Sequence, residues 1–183
     1  MRRIVRLMFV IVLAASRVHA ADKGYPQAIP SGVQVSDDLR RHMEVMLQRS
    51  TTFREQCLRL EAPGMRVVVQ RDVELLDRPY RARTTIARTV GGVLVATVSI
   101  SAYGDPTEWL AHEFEHLIEQ LDGVRVRQLA AGRDRGVWAT NGGMFETSRA
   151  IRVGRLVKDE MREHGRTVAR AAAQPSVELG MQD

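Results

Sequence analysis

The sequence predicts an α+β fold in which a small mixed sheet packs with helices in a single domain. Two runs rich in β-branched residues, "MRVVVQ" (65–70) and "VLVATVSI" (93–100), lie mid-chain and are bounded by glycines or turn residues. On either side of them the apolar residues recur at helical spacing. About 160 residues remain once an export segment is set aside, enough for one domain with a real core.

That export segment is the opening "MRRIVRLMFVIVLAASRVHA". Arg2, Arg3 and Arg6 precede an apolar run from Leu7 to Ala15, and Val18-His19-Ala20 offers compact residues for a signal peptidase. Residues 1–20 are therefore expected to be a secretory signal peptide, and the mature chain secreted or periplasmic. A membrane anchor is the competing reading, but the run is well short of the roughly 20 residues that span a bilayer, so no stable insertion is expected after cleavage.

Cleavage also changes the charge argument. The 27 Lys and Arg fall by four, to 23, against 22 acids. No dense basic run with interleaved aromatics remains, which argues against nucleic acid as a partner. The single Cys57 cannot form an internal disulfide and is expected to be a buried apolar residue on a helix.

The elements follow in order. Residues 21–34 carry Pro26, Pro30 and two glycines and read as an extended lead-in to a domain over 35–165. Ser36 caps a helix with Leu39, Met43, Met46 and Leu47 on one face, which breaks near Ser50. "TTFREQCLRLE" makes a second helical piece ending before Pro63-Gly64. Strands follow at 65–70 and 93–100, with "RARTTIARTV" between them as a third and Gly91-Gly92 as a hairpin turn or bulge. Asp105, Pro106 and Glu108 start a helix as cap, first residue and capping-box partner, and Gly123 stops it. A last helix is expected to begin at Asn141-Gly142-Gly143, with Glu146 in its first turn, and 166–183 reads as a flexible tail.

The helix over 106–121 carries "AHEFEH". His112 and His116 stand one turn apart, close enough for their ring nitrogens to meet one ion at about 2 Å each. Glu113, about 100° round from His112, can take a proton from a water that the metal has made acidic. The competing reading is a pair of histidines packed on a helix surface with no metal.

On "AHEFEH", following the strand-like "VLVATVSI", the chain resembles the zincin metallopeptidases. The resemblance covers the layout of residues 65–160, and only H-E-x-x-H is specific. It implies zinc as cofactor, His112 and His116 as ligands and Glu113 as the catalytic base. It further implies a peptide or protein substrate laid along "VLVATVSI", or the strand beside it, by β-augmentation. The third ligand divides the subfamilies. A metzincin-like site would use Asp122, but that geometry ends the helix at a glycine where this chain has Glu119. A gluzincin-like site draws a glutamate from a second helix, which is Glu146 here. Phe145 and Ala150 replace the Asn and Asp that flank that glutamate in thermolysin-type relatives, so the groups behind the ligands must differ. Glu119 shares the histidine face and is expected to be solvated or to sit behind the ligands.

Tyr80, Tyr103 and Arg149 are the candidates for steadying an oxyanion, and His164 lies too far along its helix to join. The expectation is a gluzincin-like zinc peptidase, small enough that a protein partner could complete its cleft. The alternative is a non-enzymatic envelope protein with a structural or degenerate metal site.

Overall fold

The computed structural model describes residues 28–61, 65–132, 136–140 and 143–173. The expected signal peptide, most of the lead-in and the end of the tail lie outside them. The fold is mixed α+β, with the element order β1 (Val33–Val35), α1 (Asp37–Arg49), α2 (Thr51–Glu61), β2 (Arg66–Asp72), a 3₁₀ turn (Val73–Asp77), β3 (Ala82–Arg88), β4 (Leu94–Ser101), α3 (Thr107–Leu121), α4 (Val126–Ala131), β5 (Val137–Ala139), β6 (Phe145–Thr147) and α5 (Ser148–Ala173).

Four strands make the main sheet in the order β1-β2-β4-β3. β1 runs parallel to β2 and β2 parallel to β4, while β3 returns antiparallel to β4. The β3–β4 connection turns where expected: Gly92 N donates to Thr89 O, and Gly92 takes φ of 82°, which glycine adopts without a Cβ penalty. β4 is thus interior, and the strand beside it, β3, forms the edge.

Side chains alternate across the sheet. Val67 and Val69 of β2 pair with Ala96 and Val98 of β4, and all four are buried on one face, whereas Arg66 and Gln70 point to the other and are exposed. Against the buried face lie Leu39, Met43, Met46 and Leu47 of α1, Phe53, Cys57 and Leu60 of α2, and Leu110, Phe114, Leu117 and Ile118 of α3. Phe53 stacks on Phe114 with centroids 5.4 Å apart, fixing α2 against α3.

Ser50 interrupts the first helical pair as expected, with extended backbone (φ −118°, ψ 119°). Its hydroxyl accepts from Phe53 N at the start of α2 and donates to Glu160 of α5, whose other oxygen takes the Thr52 hydroxyl at 2.7 Å. One carboxylate therefore ties α5 to the amides and hydroxyls that begin α2.

The described end of the lead-in runs into the strand β1. Three expectations are corrected. α5 runs to Ala173, past the boundary at 165. Glu108 completes no capping box, since its carboxylate binds Lys158 Nζ at 2.6 Å and so clamps α3 to α5. Glu146 is not in the first turn of a helix but on β6, immediately before α5. No helix among the described residues is long and apolar enough to cross a membrane.

Candidate metal centre

α3 is the most deeply buried helix of the fold, and its start is firmly set. Asp105 Oδ1 accepts from both the amide (2.9 Å) and the hydroxyl (2.6 Å) of Thr107, and Pro106 O takes the amide of Leu110. His42 of α1 reaches the same hydroxyl at 2.9 Å. The helix is then free to run without a break to Leu121, carrying His112 and Glu113, both buried, and His116, which is partly open.

α5 crosses α3 at close range beside His112. A Cβ placed on Gly154 would stand 2.7 Å from Glu108 O and 3.2 Å from His112 Cβ, so only glycine fits. This approach, with the β5–β6 hairpin feeding into α5, brings Glu146 over the histidines. Trp138 of β5 pairs with Glu146 in the hairpin register.

The three donor atoms form a nearly equilateral triangle. His112 Nε2 and His116 Nε2 are 3.2 Å apart, and Glu146 Oε1 lies 3.2 Å from the first and 3.4 Å from the second. A tetrahedral ion with bonds of 2.0–2.1 Å holds its donors about 3.3 Å apart. Among the described residues these three are the group of His, Cys, Asp and Glu side chains able to hold a metal ion.

The same side chains also pair electrostatically with one another. Burial disfavours ionising Glu146, but hydrogen bonds from His112 and His116, helped by the Thr147 amide at 2.8 Å, bring its carboxyl down to about 2. Burial likewise disfavours protonating His116, yet its hydrogen bonds to Glu119 and Glu146 lift it to about 10. Glu113 moves the other way: desolvation raises it, the neighbouring histidines and the Thr84 hydroxyl offset part of that, and Glu146 adds to the rise.

Asp122 is placed elsewhere. α3 continues through Glu119, as the absence of a glycine there implies, and turns only at Gly123, with φ of 74°. Asp122 thereby faces Arg59 of α2 and Arg149 Nη1 of α5, the latter at 3.0 Å, and takes no part in the triangle. Arg149 is committed there and to Glu115 at 2.6 Å, and Tyr103 is 78% exposed. Of the three candidate oxyanion donors only Tyr80 lines the cleft above the triangle, which has a volume of about 780 Å³. The cleft is lined by residues 80–84 leading into and along β3, by Trp109, Glu113 and the two histidines of α3, and by Met144 to Glu146.

Glu119 is the site residue that the sequence reading undervalued. It is 3% exposed, receives His116 Nδ1 at 2.9 Å on one oxygen and takes the Thr147 hydroxyl at 2.7 Å on the other. Its position on the histidine face was the available signal. Comparison of the chain with protein-family models, with curated proteins and with solved structures finds no match.

Proposed function

We propose that the chain is a zinc-dependent peptidase of the zincin type, with His112, His116 and Glu146 as the ligands and Glu113 as the general base. The observation that carries the reading is the donor triangle, with sides of 3.2, 3.2 and 3.4 Å, among the residues that line an open cleft. Two imidazoles and a carboxylate are the donor set that zinc takes in catalytic sites, where three protein ligands leave one position free. A structural site closes with four, and the cluster offers three. The ion, when bound, supplies Lewis acidity, polarising a carbonyl and lowering the pKa of water to roughly 7.

The chain's own residues do the rest. Glu113 lines the cleft next to both ligand histidines, and a carboxyl raised by burial is better matched to proton transfer near neutral pH than an exposed one. It accepts a proton from the attacking water, whose oxygen adds to the peptide carbonyl carbon. The same proton then passes to the amine nitrogen as the carbon–nitrogen bond breaks. Tyr80 has a phenolic O–H to donate to the carbonyl oxygen as charge develops there. Among the described residues β3 pairs with β4 on one side only, which leaves its outer backbone groups to an extended substrate. Export, which residues 1–20 suggest, would place this activity outside the cytoplasm.

The test is Glu113→Gln in the full chain. The substitution is nearly isosteric and removes no ligand, so zinc content and folding should match the wild type while peptide cleavage falls by about 10²- to 10⁴-fold. A zinc-loaded wild type inert toward a broad peptide library, with Glu113→Gln indistinguishable from it, overturns the enzymatic reading and leaves a structural site.

A further inference from the structure

The triangle explains how three donors meet, but not what keeps the lone pair of His116 pointed at it. Imidazole carries its proton on either nitrogen, and His116 can serve as a ligand through Nε2 only if the proton resides on Nδ1. Glu119 lies on the Nδ1 side, three residues along the same helix, with Oε2 at 2.9 Å. Oε1 is held by the Thr147 hydroxyl at 2.7 Å. That hydroxyl accepts in turn from Ala150 N at 3.0 Å, which anchors the first turn of α5, and the Thr147 amide donates to Glu146 Oε1 at 2.8 Å. A single connected path therefore runs from the far side of one ligand, through two side chains that are 3% and 2% exposed, to the backbone next to another.

A buried carboxylate is costly unless its oxygens are satisfied, and an apolar residue would be the cheaper way to fill a core position. Ala150, where a thermolysin-type pattern would put an aspartate, is fully buried as a methyl group and can supply no such acceptor. We infer that Glu119 is the positioning residue of the metal centre, holding His116 in the Nδ1–H tautomer, and that Thr147 couples this hold to Glu146. The inference rests on the metal-centre reading above. It adds that the orienting carboxylate comes from the ligand helix itself and not from α5, the helix that follows the glutamate-bearing strand.

The experiment measures zinc affinity of the metal-stripped full chain by chelator competition, alongside the visible spectrum of the Co²⁺ form. Glu119→Gln should weaken zinc by about 10- to 100-fold and shift the Co²⁺ bands, because the ring loses the partner that raises its basicity. Thr147→Val should weaken zinc less, and should add little when combined with Glu119→Gln, since both cut one path. Thr147→Ser, which keeps the hydroxyl, should bind as the wild type does. Glu115→Gln is the control: it is an equally buried glutamate on α3 that faces Arg149 and Gln56, so it should lower stability and leave zinc affinity and the Co²⁺ spectrum unchanged. Glu119→Gln binding zinc within about twofold of the wild type, with an unshifted spectrum, overturns the inference while leaving the metal centre standing. A wild type that takes up neither ion overturns both.

Discussion

Alanine at Gly154 and alanine at Gly165 are the same substitution in the same helix, and the structure assigns them opposite signs. At Gly165 an added Cβ meets nothing within 4 Å, so the gain is that of removing a helical glycine, about 0.5–1 kcal/mol. At Gly154 the same gain is set against a contact of 2.7 Å with Glu108 O, a backbone atom that has no rotamer to escape into, and 3.2 Å with His112 Cβ. Relief requires α5 to withdraw from α3 by a few tenths of an ångström, and overpacking of this kind costs about 1–3 kcal/mol. With a rigid neighbour the upper half of that range applies, for a net loss of about 1–2.5 kcal/mol. Urea unfolding of both variants in the presence of a chelator reads the fold without any contribution from bound metal. The withdrawal would also move Glu146 with respect to the histidines, so zinc affinity should fall in Gly154→Ala and stay constant in Gly165→Ala. If Gly154→Ala gains stability as Gly165→Ala does, the helices do not pack through that glycine and the account of how α5 delivers Glu146 is wrong.

Three further outcomes are expected. Glu146→Ala should weaken zinc by more than the roughly 10- to 100-fold that outlying partners are worth, whereas Asp122→Asn should leave it intact and cost about 1 kcal/mol of stability or less, because its pairs with Arg59 and Arg149 are solvent-screened; the reverse pattern in a metal analysis would move the third ligand to Asp122. His42 titrates below its ordinary 6.5 because burial disfavours the charged ring and Arg71 adds to this, with Asp105 opposing. Stability from the neutral ring is then fully present above pH 6.5 and declines as pH falls toward the folded value, since the unfolded chain protonates first. Urea midpoints between about pH 7.5 and 5 should therefore drop more in the wild type than in His42→Gln, and equal slopes would refute it. Cys57 is fully buried and its thiol is pushed up to about 12 by desolvation, with Glu61 adding to this, so a thiol reagent should label it only after denaturation; rapid labelling of the native protein would contradict its place between α2 and the core.

Local periodicity made most of the fold legible. Of the elements that border the cleft, β3 and α3 are long, regular and bounded by glycine or proline, signals that act within a few positions, whereas the short α4 and β6 carry no such pattern and are not expected from the sequence. β1 escaped because three residues, Val33 to Val35, carry no pattern of their own and become a strand only by pairing with Val67 to Val69, far along the chain. The sequence points to Glu146 through an expected helix start, and the structure brings it to the histidines from a strand. Its neighbours Asn141 to Gly143 resemble a helix cap, while the hairpin partner that makes 145–147 extended lies earlier in the sequence. Glu119 shows the limit most clearly. Its helical face was readable, but its burial depends on Thr147 arriving from another element, which no local pattern encodes.

The donors of the triangle come from two places in the chain, with Glu146 lying 30 positions beyond His116. An ion shared between them would close a ring of about that many residues and deny the unfolded chain much of its freedom, as a covalent bridge of the same span does at about 3–4 kcal/mol. With one cysteine in the sequence, no internal disulfide can supply such a staple. Metal loading would then set how long the protein resists proteolysis as well as what its cleft can do.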